Sequence, residues 1–349
     1  MRKFVGEISG NIFIDGAMRQ GTLEIRDGVK FTEGGQRNTG KVGTIMPSFI
    51  NAHTHIGDSF ITEVPPGDIP GIVGPGGFKY RMLSSATDEV IIEGMERSMK
   101  IMQETGTSAF IDFRESDIHG LQLLERAAKH DVMPVPLGRP DSTGSDLGKI
   151  IDQCQGFAPS ALNDDDFLQL MSMKQLSREK GKLFGIHFSE NLPENIDALM
   201  RLSPDFIVHS IACSDEELDR IARANIPVVI TPRSNIFYGK RPNYARFISH
   251  GVRLMLGTDN GMVAAPDMFR ETCFLYTYQR GIGIISPEEI IRMSTEVPYE
   301  FLVSHGIHPA RAYIFFPEVE LSPYEIVTGA PDSVVTFIDW EPAPRNSVP

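Results

Sequence analysis

The sequence predicts an α/β protein organised as a (β/α)8 barrel, and three observations carry that expectation. From Thr44 onward, apolar runs of five to eight residues alternate with helical stretches, as parallel strands joined by crossover helices require. Eight such units fit into about 240 residues, which suits a closed barrel better than an open doubly wound sheet. No GxGxxG and no GxxxxGK with a following Ser or Thr comes after any of these strands, so the usual marks of dinucleotide and P-loop sites are missing.

The elements follow in order. The first 45 residues read as short strands, Phe4–Ile8, Asn11–Ile14 and Gly21–Ile25, divided by Gly- and Asp-containing turns. The eight barrel strands are placed at Thr44–Asn51, Thr107–Phe113, Val132–Leu137, Phe157–Ala161, Lys182–His187, Phe206–His209, Val228–Thr231 and Val252–Thr258, the fourth having the weakest pattern. Ser214 to Glu217 and Ser286 to Glu289 both have the spacing of a capping box, the second with Pro287 at the first helical position. After about Ala310 the chain reads as irregular until Ser333–Asp339, a last strand expected to return to the N-terminal ones. The Pro-rich stretch Glu341–Pro349 reads as loose.

Composition excludes several classes. The 349 residues are 41% hydrophobic and 23% charged, proportions of a globular rather than a disordered or fibrous chain. With 33 basic against 46 acidic residues the net charge is −13, which argues against nucleic acid or an anionic membrane as partner. Three cysteines (Cys154, Cys213 and Cys273) cannot all pair and match no zinc or redox spacing, so they read as small buried thiols of a reducing compartment. Glu7 and Asp15 interrupt any signal-like apolar segment, and no stretch approaches a membrane span. A cytoplasmic location is the expectation.

Barrel chemistry belongs at the C-terminal ends of strands. The first strand runs into Asn51-Ala52-His53-Thr54-His55, whose alternation lets both histidines face the axis. The fifth strand ends in His187, the sixth in His209 and the eighth in Asp259. Five metal-competent groups therefore converge on one mouth. Neutral imidazole with carboxylate suits Zn²⁺ or Fe²⁺, and three His plus one Asp leaves room for a water.

These fragments, PSFINAHTHIGDS, FGIHFSE, FIVHS, ITPRSN and LGTDN in that order, resemble the amidohydrolase superfamily, and more narrowly its cytosine deaminase and triazine-hydrolase-like (chlorohydrolase) group. GTSAFIDF, PDMFRE and the terminal GAPDSVVTFID extend the likeness over nearly the whole chain. The resemblance implies a distorted (β/α)8 TIM barrel over residues 46–310, with a small β-sandwich formed by both termini, 1–45 and 311–349. It implies His53, His55, His187 and Asp259 as metal ligands, Glu190 as proton shuttle, and His209 as the group that polarises the attacking water or touches substrate. Asp259 would also help move the second proton. Members with two metals use a carboxylated lysine at the fourth strand; Gly156–Asn163 contains no lysine, so one divalent metal is expected, zinc before iron.

The expected function is a metal-dependent aminohydrolase that deaminates a purine, pyrimidine, pterin or similar heterocycle and releases ammonia. The same groups would serve hydrolysis of another C–N bond or of a C–Cl bond, of amide, formimino or chlorotriazine type. A non-catalytic relative would have lost ligands, and here all four and Glu190 are kept. Arg114, Arg139 and Arg233 each follow a strand: either they form a cationic mouth for a small-molecule substrate bearing an anionic group, or each pairs locally, Arg114 with Asp112 or Glu115 and Arg139 with Asp141. Asn235 and Asp58 are further candidate substrate contacts. The Pro- and Gly-rich stretch Gly57–Ala86 reads as a lid. The methionines Met95, Met99, Met102, Met171 and Met173 fit core packing better than a homo-oligomer surface.

Overall fold

The computed structural model describes residues 2–26, 28–34, 40–74, 76–141, 144–329 and 336–340. After a short β1 (Arg2–Lys3), β2 (Gly6–Ile14) and β3 (Ala17–Ile25) form a hairpin, which β4 (Val29–Glu33) extends. Its turn is Asp15-Gly16, with φ of 50° and 74°, as a two-residue hairpin loop requires. The break expected between Ile8 and Asn11 does not occur. Gly10 stays in the strand because β5 (Lys41–Pro47) runs close beside it: a Cβ there would lie 2.1 Å from the Gly43 carbonyl oxygen.

The barrel begins at β6 (Phe49–His55). The expected first strand, Thr44–Asn51, is in fact two: up to Pro47 the chain pairs in the terminal sheet, and from Phe49 it pairs in the barrel. There follow β7 (Thr107–Arg114), β8 (Met133–Gly138), β9 (Gly156–Phe157), β10 (Leu183–Phe188), β11 (Phe206–His209), β12 (Val228–Ile230) and β13 (Leu254–Leu256), each parallel to its neighbour. The weak fourth strand, β9, has two residues plus an isolated bridge from Ala161 to His187. The ring closes through β14 (Asp259–Asn260), which follows β13 and pairs with β6. Between them the Gly257 N–H donates to the Ile230 carbonyl at 3.0 Å and the Thr258 N–H to the His53 carbonyl at 3.1 Å. The Asn51 amide grips Thr258 twice, donating to its hydroxyl at 2.7 Å and accepting from its N–H at 3.1 Å.

Missing from the sequence reading is β15 (Arg311–Pro317), which lies between β5 and β16 (Thr336–Trp340) where irregular chain was expected. β16 does return to the N-terminus, pairing with β1. The expected strand's first residues, 333–335, and the stretch 341–349 lie outside the described residues. Alternate strand residues Ile111, Phe113, Val135, Leu137, Val208, Val229 and Met255 fill one apolar cluster with Val297, Phe301 and Leu302 of the helix Glu296–Ser304.

Around the barrel, the Ser214 capping box forms in full, whereas at Ser286 only half of it does, because the Glu289 carboxylate pairs with Arg292 at 2.9 Å. Met95, Met99, Met102 and Met173 are core residues; Met171 is exposed. The stretch after β6 carries two short helices, Ile69–Val73 and Phe78–Ser85, rather than irregular chain. Among the described residues no helix is long and apolar enough to cross a membrane.

Gly257 sits where the ring closes, and a Cβ there would lie 2.8 Å from both Cβ and N of His53. Gly257→Ala should therefore cost about 1–3 kcal/mol by overpacking and displace His53, lowering both the melting temperature and the response of that temperature to added zinc. Gly281→Ala, with open space at its Cβ, is the control expected to change neither.

Candidate metal and active site

Five side chains meet at the C-terminal mouth, and the strand ends are shaped to bring them there. Opposite β7, β6 carries a register shift between Asn51 and Thr54, a bulge of the kind that re-aims side chains beside a site. His53 and His55 come off this bulge with ring centroids 4.8 Å apart. His187, on β10, stacks on His55 at 5.4 Å and on His209 at 5.4 Å. Phe113 of β7 closes the floor, its ring 4.5 Å from that of His53. His209 and Asp259 have φ of 71° and 64°, a left-handed backbone that is costly for non-glycine residues and recurs where a site dictates direction.

Hydrogen bonds set the imidazole tautomers. His55 Nδ1 donates to Glu115 Oε1 at 2.6 Å, and His187 Nδ1 donates to the Ser160 carbonyl at 2.8 Å. Neither acceptor carries a proton, so each neutral ring keeps its proton on Nδ1. Their Nε2 atoms, 3.3 Å apart, thus point two lone pairs at each other. Burial keeps both rings neutral: it drives His55 down to about 3, helped by the Lys79 ammonium, and drives His187 well below the usual range, helped by the neighbouring imidazoles. His53 Nε2 is 3.3 Å from Asp259 Oδ1 but off the line of a hydrogen bond, so both its nitrogens are buried without a hydrogen-bond partner. Lone pairs facing one another and orphaned buried nitrogens are what a cation resolves.

Two triads bring ligand atoms within 4.8 Å of one another, His53 with His55 and His187, and His53 with His209 and Asp259. His209 is set apart by its own network. Tyr244 Oη donates to Asn235 Oδ1 at 2.8 Å, and Asn235 Nδ2 donates to His209 Nδ1 at 3.2 Å. That arrangement leaves the proton of neutral His209 on Nε2, which faces Glu190 Oε2 at 3.6 Å. A protonated nitrogen donates rather than ligates. The residues that fit a single cation are therefore His53, His55, His187 and Asp259, whose free Oδ1 points at His53 while Oδ2 accepts from Ser234 at 2.6 Å. Burial opposes the Asp259 charge, but His53, His209 and His55 outweigh it and hold this carboxyl well below its usual range. Glu190, at the same mouth, is pushed up by burial.

Above these groups lies a cavity of about 400 Å³, lined by Lys79, Arg139, Glu190, His209, Tyr238 and Asp259, with Ile69 and Val73 of the first covering helix. Of the three arginines expected around it, only Arg139 lines it. Arg114 is turned outward and buried against Asp112 (3.1 Å) and Glu115 (2.6 Å), and Arg233 is bound to Glu271 and to the Ala265 carbonyl. A guanidinium taken out of water needs such partners. Asn235 supports His209 rather than the cavity. Asp58, 1% exposed, accepts from Asn260 Nδ2 at 2.7 Å and the Met262 N–H at 3.0 Å, tying the turn after β6 to the one after β14; burial raises it to about 7. Lys79 and Tyr238 escaped the sequence reading, as did the role of Glu115 behind His55. Glu115 was findable, since Ile111 and Phe113 face inward and strand alternation puts residue 115 on that face. Lys79 carries no such signal.

Comparison with known proteins agrees with this architecture. Residues 44–305 match the amidohydrolase family. An Archaeoglobus fulgidus protein, named only as a candidate aminohydrolase, is 36% identical over 232 residues, 66% of this chain and 68% of its own. A 5-methylthioadenosine/S-adenosylhomocysteine deaminase of Nitratidesulfovibrio vulgaris is 24% identical over 247 residues, 62% of this chain and 55% of its own. The crystal structure of an adenosine deaminase from Xanthomonas campestris, with bound zinc, shares the fold at a TM-score of 0.76 and 14% identity, covering 96% of this chain and 91% of that one.

The lone-pair geometry implies one cation. Metal analysis of the purified protein should find about one equivalent, falling sharply in His187→Ala and little in His209→Ala. Two full equivalents, or equal losses in both variants, would contradict the assignment of ligands.

Proposed function

The chain belongs to the amidohydrolase family and is a hydrolase acting on C–N bonds, and from that premise we propose that it is a metal-dependent aminohydrolase that deaminates a heterocyclic substrate of purine, pyrimidine, pterin or similar type. The observation that carries this reading is the placement of Glu190 and His209 Nε2, 3.6 Å apart, over the buried ligand set.

His53, His55, His187 and Asp259 would hold one divalent cation, zinc before iron. When bound, such a cation acts as a Lewis acid and makes water acidic near neutral pH. Glu190 takes a proton from the attacking water and returns it to a ring or amidine nitrogen of the substrate. Its raised pKa suits a group that must both accept and release a proton. His209, proton on Nε2, donates a hydrogen bond to the oxygen entering the trigonal carbon and so stabilises charge as it develops. Asp259 takes the remaining proton from the entered oxygen and passes it to the departing amine as the C–N bond breaks and the carbonyl forms. Ile69 and Val73 of the covering helix give the cavity a partly apolar wall.

An anionic substituent on the substrate, expected from three arginines, now rests on Arg139 beside Lys79. Arg139→Met should raise KM for a carboxylated heterocycle more than for its neutral analogue, with kcat less affected. Equal KM changes for the pair remove the anionic group from the proposal and leave the deamination intact.

The deamination itself is tested by ammonia release over a panel of amino-substituted heterocycles. Glu190→Gln should keep its metal and its fold yet lose about 10²–10⁴-fold in kcat, because an amide cannot accept the water's proton. Turnover within about threefold of the unaltered protein would assign the proton transfer elsewhere. Release of chloride or a carboxylate product without ammonia would overturn the reaction class.

A further inference from the structure

We propose that Lys79 is a positioning residue that latches the helix Phe78–Ser85 over the cavity by pairing with Glu115, the same carboxylate that orients His55. Lys79 is the one fully buried residue of that helix, 2% exposed. An ammonium out of water is costly unless paired, and its partner is Glu115 Oε1 at 2.6 Å. That single oxygen also accepts from His55 Nδ1 at 2.6 Å, while Oε2 accepts from Arg114 Nη2 at 2.6 Å. The next residue repeats the attachment, since Arg139 Nη1 donates to Tyr80 Oη at 3.0 Å. Two consecutive side chains of the covering helix thus dock on residues at the ends of β7 and β8. The bonds from Arg81 Nη1 to the Gly76 carbonyl at 2.9 Å and from the Ser84 and Ser85 hydroxyls to the Arg81 and Met82 carbonyls at 3.0 Å stay within the cover itself.

Leu83 packs the helix against the apolar cluster of Ile91 and Met95, and the buried Lys79–Glu115 pair adds a charged anchor on the side of the site. Glu115 is the shared node: it faces a ligand histidine on one side and the cover on the other. Removing Glu115 should therefore disturb both, and removing Lys79 chiefly the cover, because Arg114 still holds Glu115 in place. The inference rests on the proposed metal site only where it assigns His55 as a ligand; the latch itself is a property of the chain.

Hydrogen exchange over peptides spanning Ile69–Val73 and Phe78–Ser85 reads the latch, and titration with zinc against a chelator reads the metal site. Lys79→Met should raise exchange in those peptides about tenfold or more, leave the barrel peptides unchanged, and retain about one equivalent of zinc. Lys79→Arg, which keeps the charge, should stay close to the unaltered protein, as should Arg81→Ala. Glu115→Gln should raise exchange in the same peptides and also weaken zinc about 10–100-fold, the usual effect of losing a carboxylate behind a ligand histidine. Unchanged exchange in Lys79→Met, a rise spread over the whole barrel, or equal rises in Lys79→Met and Lys79→Arg would overturn the latch. Failure of the unaltered protein to bind zinc would overturn the proposed function instead, with the latch still legible in the metal-free protein.

Discussion

His55 Nε2 and His187 Nε2 stand 3.3 Å apart with no proton available to either, because Glu115 and the Ser160 carbonyl hold both rings by Nδ1. Left alone, two neutral imidazoles so placed repel, and the protein adds to the problem by burying His55 with His53 and Asp259 beside it. A carboxylate without water or a paired cation is costly at this depth. A divalent cation turns each of these liabilities into an attraction. The supporting contacts make sense in that light, since Ser160, Glu115 and Ser234 each fix the rear of a ligand and leave its front atom facing the common centre.

That centre also explains the irregularities of the barrel. An ideal strand would carry His53, His55 and Asp259 past the mouth at regular spacing. Instead β6 bulges, the eighth strand breaks between Leu256 and Asp259, and Asp259 and His209 adopt left-handed backbone. Such conformations cost of order 1–3 kcal/mol each, and they persist because closure of the ring over-determines them. The Asn51–Thr258 pair and the Thr258 N–H to His53 carbonyl bond hold both edges of the seam at once. The eighth strand is therefore both the closing stave of the barrel and the carrier of the carboxylate proposed as a ligand, and the glycine at its break leaves no room for a Cβ beside His53.

Much of this was legible in the sequence, and the exceptions have identifiable causes. The barrel strands could be placed because parallel strands buried on both faces read as apolar runs, and the histidines and Asp259 stood out because such residues rarely end such runs. The same continuity hid the boundary at Pro47-Ser48: both flanking strands are buried, so the apolar pattern does not register that the chain changes sheets. β15 was missed because its partners are distant in sequence, β5 and β16, and no local period announces a strand paired on both sides by remote chain. Arg114 was placed in the mouth by its proximity to a strand end, although alternation from Phe113 already directs it outward. Lys79 depends on the path taken by the whole segment after His55, which no short-range rule supplies.

The charges around the site then acquire a consistent logic. A protein of net charge −13 places Arg114, Arg139 and Lys79 around one carboxylate, Glu115, directly behind a cluster of neutral imidazoles. With several cations near it, Glu115 is held well below the usual carboxylate range despite burial, Lys79 being the largest favourable influence. It therefore serves as the acceptor for His55 Nδ1 and sets the tautomer of His55. Arg114, which looked like a substrate anchor, serves instead to keep that acceptor ionised. Asp112 and Glu115 offset two of the three positive charges within the same network. The mouth thus combines a strongly held second layer of charge with a front layer of neutral nitrogens and one carboxylate, which is the division of labour that a single tightly oriented cation demands.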